Sequence, residues 1–318
     1  MSEENMKKIT VVLSTYNGEK YLGEQLDSIL CQKGAQVRYS LKVLCRDDGS
    51  KDKTRDILTH YSVKYPNVNI AKNSGKSLGV RKSFFSLLAE AQSDYYFFSD
   101  QDDVWHLNKI QTFLDAFEET REDLPAGVYS DLDLVDAKNR PLGKSMMESN
   151  GWSYSEKRDF ILFFFKTRVT GASFAINEAA KLQILKLSAN DLAQVGMHDS
   201  ILALLARAYN NLKFVPTSLV NYRQHGNNVL GAFAEGHSVF DVKVRIKRYR
   251  TFFNDLSLVN SIVSTKDLPN RNQAALQAAI NFNGAIGFWN KLRAMFKDKK
   301  ILWNEITPKQ KLLLLLFY

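Results

Sequence analysis

Apolar runs and helical-period segments alternate through the first 120 residues. Ile9 to Leu13 (ITVVL) is a short β-branched run, the pattern of a buried strand. Tyr21, Leu22, Leu26, Ile29 and Leu30 then recur at helical spacing. Leu41 to Cys45 reads as a second strand, Asp52 to Tyr65 as a second helix, and Val68 to Ala71 as a weak third strand. Ser77 to Ala91 reads as a third helix with Phe84, Phe85, Leu87 and Leu88 on its apolar face, and Tyr95 to Phe98 as a fourth strand. Strand alternating with helix implies βαβ units and a mainly parallel sheet with helices on both faces.

Such sheets bind ligands at the carboxyl ends of their strands. Three polar clusters fall there: Ser14-Thr15-Tyr16-Asn17, Arg46-Asp47-Asp48-Gly49-Ser50, and Ser99-Asp100-Gln101-Asp102-Asp103. The second half is less regular. Val128 to Val135 reads as a strand, and Thr170 to Ile176 follows the aromatic run Phe160 to Phe165. Ile201 to Tyr209 reads as a helix just after Met197-His198-Asp199. Phe214 to Tyr222 is extended and leads into Arg223-Gln224-His225-Gly226-Asn227-Asn228. Residues 237–318 read as helical with a break near Pro269.

Composition narrows the classes. Hydrophobic residues make up 45% and charged residues 24% of the 318, which excludes disorder, collagen-like sequence and low complexity for the whole chain. There is no internal repeat. Two cysteines, Cys31 and Cys45, are too few for a disulfide framework and suit a reducing compartment. The start, MSEENMKKITVVLSTYN, lacks the long apolar segment of a signal peptide, and no run approaches the ~20 apolar residues of a spanning helix. The net charge of +9 lies entirely in residues 237–318, the first 236 being neutral overall.

The sharpest chemistry is the Asp100-Gln101-Asp102-Asp103 turn. Two carboxylates at i and i+2 can face one hard divalent cation, or form a solvated loop capping the next helix. Asp199 can be a general base or a helix N-cap. His225 can meet phosphate or metal, or bond backbone as a loop histidine; Arg223, Gln224 and Asn228 beside it suit phosphate. Arg81 and Lys82, after Gly79, can approach a diphosphate or form a solvated helix face. The Walker pattern is absent around Gly75 and Gly79. Asp131 and Asp133 suit an exposed strand face.

Six stretches in order, VVLSTYNGEKYLGEQLDSIL, RDDGSKDKT, SDQDDVW, TGASFAI, HDS and YRQHGNN, span residues 9 to about 231. Together they resemble the inverting glycosyltransferases of family 2, of GT-A fold, and within it bacterial rhamnosyltransferases of cell-surface polysaccharide synthesis. The resemblance implies that Thr15, Tyr16 and Asn17 embrace the nucleotide and that Asp48, flanked by Asp47 and Ser50, reads a uracil or thymine base. It implies that Asp100 and Asp102 form the DxD motif, with Asp100 and Gln101 beside the donor and Asp102 and His225 on a Mg²⁺ or Mn²⁺ ion. Arg81 and Gly171 are expected on the donor, and Trp105, Thr170 and His198 beside the acceptor. Asp199 matches the catalytic base; the acid usual before it is here His198.

The expected architecture is α/β, a GT-A, mostly parallel sheet flanked by helices over residues 1–236, with a basic, aromatic-rich helical region over 237–318. In that region basic residues stand beside Trp, Phe and Leu, which suits an in-plane helix on an anionic membrane surface, a packed appendage, or a homodimer contact. Nucleic acid is not an expected partner, because no binding module accompanies the charge. The implied reaction moves L-rhamnose from dTDP-L-rhamnose to a lipid-linked glycan in a bacterial enzyme, cytoplasmic and peripheral at the inner face of the cell membrane. UDP-sugar donors, a non-catalytic sugar-nucleotide-binding scaffold and a nucleotidyltransferase remain alternatives, the last without its glycine-rich basic first loop.

Overall fold

The computed structural model describes residues 6–72, 75–155, 160, 168–225, 242–299 and 308–317. The aromatic run beyond Phe160, the Gly226-Asn227-Asn228 stretch and Ile301-Leu302-Trp303 lie outside them.

The first half follows the alternation seen in the sequence. Strands β1 (Lys7–Thr15), β2 (Tyr39–Asp47), β3 (Val68–Ile70) and β4 (Tyr95–Ser99) alternate with helices α1 (Leu22–Leu30), α2 (Thr54–Lys64) and α3 (Val80–Glu90). Their order in the sheet is β3-β2-β1-β4, all parallel. Alternate residues of one strand enter different cores: Val11 and Leu13 on one face of β1 and Val12 on the other, Tyr95 and Phe97 against Tyr96 and Phe98 in β4. This two-sided burial is why these strands read as continuous apolar runs.

The second half departs from pure alternation. After the two-residue strand β5 (Val104–Trp105) come α4 (Lys109–Phe117), β6 (Gly127–Val135), β7 (Pro141–Ser145) and α5 (Met146–Ser149). Of the TGASFAI stretch, only Phe174–Asn177 is strand (β8); Gly171–Ser173 is a 3-10 turn. β8 runs antiparallel between β4 and β6, and β9 (Leu212–Arg223) lies parallel to β6. Between them come α6 (Glu178–Ile184), α7 (Ala189–Gln194) and α8 (His198–Ala208). β5 pairs antiparallel with β9, Val104 opposite Asn221, which pins the turn after β4 to the far edge of the sheet.

The C-terminal region forms α9 (Val242–Ile262), α10 (Asn270–Gly284), α11 (Phe288–Lys297) and α12 (Pro308–Phe317). Pro269 stands at the start of α10, and a second break occurs at Gly287, with φ +81°, before α11. Phe253, Leu256, Phe282, Met295 and Leu314 bury in the same core cluster as Phe84, Phe98 and Leu205. A fully buried side chain of this size contributes about 1.5–3 kcal/mol. Among the described residues, no helix is long and apolar enough to cross a membrane.

Candidate functional site

The ends of β1, β2 and β4 lie side by side: Thr15 pairs with Asp47 and Leu13 with Ser99. The three polar clusters therefore meet at one edge, and their hydrogen bonds lace them together. Asn17, with φ +50°, donates its N–H to Ser50 Oγ at 2.9 Å and accepts the Lys51 N–H on Oδ1 at 3.0 Å. Gln101 Oε1 accepts from Thr15 Oγ1 at 2.5 Å and from the Tyr16 N–H at 2.6 Å, while its Nε2 donates to the Tyr16 carbonyl at 3.0 Å. Gln101 thus latches the first loop to the third, and the Tyr16 ring is left exposed.

Asp47 and Asp48 organise the second cluster. Asp47 accepts from the Gly49 and Ser50 N–H groups and from Arg55 Nε at 2.8 Å. Asp48 is full: Oδ1 takes the Leu78 N–H at 2.6 Å, Arg46 Nη1 at 2.6 Å and Ser83 Oγ, and Oδ2 takes the Gly79 N–H at 2.9 Å and Ser77 Oγ. Burial raises the Asp48 carboxyl, but the bonds from Leu78, Arg46, Gly79 and Ser83 outweigh it and hold the group below the usual carboxylate range. Asp48, expected beside the base, binds the loop before α3 through both of its oxygens. Arg46 beneath it is fully buried.

The third cluster is a concentration of negative charge. Burial pushes the Asp100 carboxyl up to about 7, with Asp102 and Asp199 adding repulsion and Lys109 opposing it. Asp103 is pushed well above its ordinary value by burial and then by Asp102 and Asp100. Its Oδ1 accepts the Arg223 N–H at 3.1 Å, and among the described residues Oδ2 has no hydrogen-bond partner. His225 Nε2 lies 2.8 Å from Asp102 Oδ2, and its ring stacks on Tyr21 at 5.3 Å. Arg223 is buried; it donates to the Asp102 carbonyl at 2.8 Å and pairs with Glu24 at 2.6 Å. It clamps the loop from behind, where the sequence suggested phosphate.

These oxygen donors suit a hard divalent cation. Repelling carboxylates with an unpartnered buried oxygen are stabilised by added positive charge. Among the described residues no three His, Cys, Asp or Glu side chains form a ready-made cage.

Asp199 sits in the first turn of α8, two residues after the N-cap Met197. Its Oδ2 accepts the Gly171 N–H at 2.8 Å and its Oδ1 the Ser200 N–H at 2.6 Å. The 3-10 turn thereby brings Thr170 and Gly171 to the carboxylate. A side chain at 171 would be tight: a Cβ there would stand 3.0 Å from His198 Nε2, so the ring would have to yield.

Other residues expected at the site are buried or bonded within the protein. Trp105 is 2% exposed and packs in the core against Phe97, with Lys109 Nζ 3.4 Å from its ring centroid. The apolar strand pairing of β5 with β9 draws it inward. His198 is 3% exposed and stacks on Phe84 at 4.0 Å; burial lowers its pKa to about 4, and neither ring nitrogen has a hydrogen-bond partner among the described residues. It is a neutral packing ring beneath the Gly171 turn. Arg81, expected on the donor, reaches the Val195 carbonyl and faces Asp255 of α9. Asp131, expected on an exposed face, is buried and accepts the Met147 N–H and the Tyr154 hydroxyl.

Three residues escape a sequence reading. Lys109 is fully buried and donates to the Ala172 carbonyl at 2.7 Å; burial lowers its pKa well below normal, opposed by Asp103 and Asp100. It sits at the helix start after the DQDD turn, where lysine ordinarily reads as a solvated residue. Tyr21, which looked like one member of an apolar stripe, supports His225 and lies under the Arg223 guanidinium. Asp255 accepts the Gly196 N–H at 3.0 Å, joining α9 to the loop before the Asp199 helix. A groove of about 660 Å³ lined by Lys8, Lys42, Asp94 and Lys181 opens at the opposite ends of the strands, far from these loops.

Known proteins resemble this chain in sequence and in fold. The family model described as glycosyl transferase family 2 matches residues 10–181. A dTDP-rhamnosyl transferase, RfbG of Shigella flexneri, is 27% identical over 297 residues, covering 90% of this chain and 96% of its own. The structure of Staphylococcus aureus TarS 1–349 in complex with UDP-GlcNAc superposes with TM-score 0.54 at 17% identity, covering 97% of this chain and 81% of that one. The mannosyltransferase PcManGT of Pyrobaculum calidifontis, in complex with GDP-Man and Mn²⁺, gives TM-score 0.52 at 17% identity, covering 98% and 79%. The fold is the GT-A fold of these glycosyltransferases. The chain, a glycosyltransferase, belongs to glycosyl transferase family 2.

Proposed function

We propose that the enzyme is an inverting rhamnosyltransferase that moves L-rhamnose from dTDP-L-rhamnose to a hydroxyl of a lipid-linked cell-surface polysaccharide. The observation that carries the reaction class is the placement of Asp199. Its carboxylate is held by two backbone N–H groups and lies close enough to Asp100 to raise that group's pKa. The donor choice is supported by the rhamnosyl transferase relative, aligned over nearly the whole of both chains.

The nucleotide diphosphate lies across the ends of β1, β2 and β4, between the first loop and the DQDD turn. Asp100 and Asp102 would hold a divalent cation, Mg²⁺ or Mn²⁺, with His225 fixing Asp102. Such a cation supplies neutralising charge for a departing diphosphate. Asp199 takes the proton of the acceptor hydroxyl as general base. The acceptor oxygen attacks the anomeric carbon in line, the bond to the diphosphate oxygen breaks, and the configuration inverts without a covalent enzyme intermediate. Gln101 holds Tyr16 and Thr15 against the turn, and Gly171 holds the base oriented.

Calorimetric titration with dTDP and UDP, each with and without Mg²⁺ or Mn²⁺, tests this. Metal-dependent preference for dTDP that disappears in Asp102→Asn is the expected result. Equal or stronger UDP binding overturns the donor assignment while leaving the reaction class. Absence of nucleotide binding overturns the transferase mechanism in favour of a scaffold.

A further inference from the structure

We infer that α11 is a membrane-docking face that seats the enzyme on an anionic lipid bilayer. Among the described residues, helix α11 packs on the rest of the protein through one side. Met295 buries in the main core and Lys291 lies against the Phe282 ring. The other side carries Trp289, Arg293, Phe296 and Lys297, at i, i+4, i+7 and i+8, which share one face of a helix. Trp289 is 73% exposed and Phe296 65%, and Ile286, in the turn before the helix, is 87% exposed. Large apolar groups this open, gathered on one turn-and-helix segment, mark an interaction surface.

The chemistry of the face selects its occupant. From Ile286 to Lys297 the sequence contains no Asp or Glu. Aromatic rings interleaved with Arg and Lys match the interface of an anionic bilayer, where the rings enter the headgroup–acyl boundary and the cations meet lipid phosphate. A second copy of the chain is a poor occupant. In a two-fold contact each patch meets itself, so Arg293 and Lys297 would face their own copies with no acid on the patch to offset them. The whole region shares this sign, since residues 237–318 carry the chain's net +9.

The docking face is also mechanically tied to the site. α11 packs on α10 and α12, α10 and α12 pack on α9, and Asp255 of α9 accepts the Gly196 N–H three residues before Asp199. Gly196 has no space for a side chain, since a Cβ would stand 2.4 Å from Thr251 Cγ2. A bilayer-bound tail therefore holds the base-bearing helix at a fixed orientation to the membrane. The inference deepens the acceptor reading proposed above, because a lipid-carried glycan is met at a bilayer surface.

Flotation of the full chain with vesicles tests it, using phosphatidylcholine alone and phosphatidylcholine with one-third phosphatidylglycerol. The intact protein is expected to float with the anionic vesicles and not with the neutral ones, with binding that weakens as salt rises. Trp289→Ser combined with Phe296→Ser is expected to weaken binding about tenfold or more by removing the inserted rings. Arg293→Gln combined with Lys297→Gln is expected to weaken it by a similar factor by removing the attraction to anionic lipid. All four side chains are exposed, so melting temperature and nucleotide binding should be unchanged; transfer to a soluble acceptor fragment, measured in parallel, separates loss of docking from failure of the transferase reading. Absence of flotation by the intact protein, or flotation of both double variants equal to that of the intact protein, overturns the inference. A dimer in solution that the Trp289/Phe296 variant splits overturns it too, assigning the face to a subunit contact.

Discussion

Gly171 donates its backbone N–H to Asp199 Oδ2 at 2.8 Å, so one carboxylate oxygen of the proposed base is fixed by a turn from a different part of the sheet. An Asn at 199 can still accept from Gly171 through its amide oxygen but cannot take a proton. Asp199→Asn is expected to lower kcat by about 10²–10⁴, with dTDP affinity changed less than about twofold. Steady-state kinetics and calorimetry on the same preparation check this; retained turnover removes Asp199 from the role of base.

His198 places a titrating group inside the stack of Phe84 and Phe98. Its folded pKa, lowered to about 4 by burial, is below the ordinary value of 6.5, so the unfolded chain binds its proton first. The stability it supports is present above pH 6.5 and is lost as pH falls toward 4. In His198→Phe the fall in unfolding free energy between pH 7 and pH 5 is expected to shrink by about 1–2 kcal/mol. Urea denaturation at the two pH values measures it. Turnover should survive, because the ring packs and does not meet the acceptor.

Asp255 has the opposite sign. Burial raises its pKa from 3.8 to about 7, against the Gly196 bond and the Arg81 charge. The folded state therefore holds the proton where the unfolded state has lost it, and stability falls as pH rises from about 4 through 7. Asp255→Asn keeps an acceptor for Gly196 and removes the titration. It is expected to be more stable than the parent at pH 8 by about 2 kcal/mol and to show a flatter profile. Thermal denaturation across pH 5 to 8 decides it; a parallel profile for the two proteins refutes the assignment.

Lys109 joins the underside of the DQDD turn to the Ala172 carbonyl next to Gly171. Lys109→Met keeps most of the buried stem and removes the cation. Loss of one partner of a buried charged cluster costs about 3–5 kcal/mol, so a clear drop in the urea midpoint is expected. Turnover is expected to fall at the same time, because the turn that holds Asp199 loses its tether. An unchanged midpoint argues that the lysine is neutral and dispensable.

The two-sided burial of β1, β2 and β4 makes their apolar runs legible, and the βαβ order then places the three polar clusters at one edge. Local pattern fails where partners are distant. Phe174–Asn177 is an apolar strand whatever its direction, so its antiparallel insertion between β4 and β6 follows from topology alone. Lys109, Arg46 and Arg223 are charged residues that alphabetic reading sends to the surface; they are buried because carboxylates and carbonyls from remote segments meet them there. Trp105 and His198 are the converse case: each stands beside a motif in sequence and is buried in the core.

The pairing of Val104–Trp105 with β9 has a consequence for biosynthesis. A ribosome that has released residue 105 has delivered every carboxylate of the DQDD turn, yet Arg223 and His225, which grip that turn, lie more than a hundred residues further along. Contacts of such sequence separation form late and slowly. The nascent chain is expected to acquire its parallel β1–β4 unit first and to remain unable to hold a sugar nucleotide until β9 has emerged and docked, so that competence for the donor marks completion of the catalytic fold.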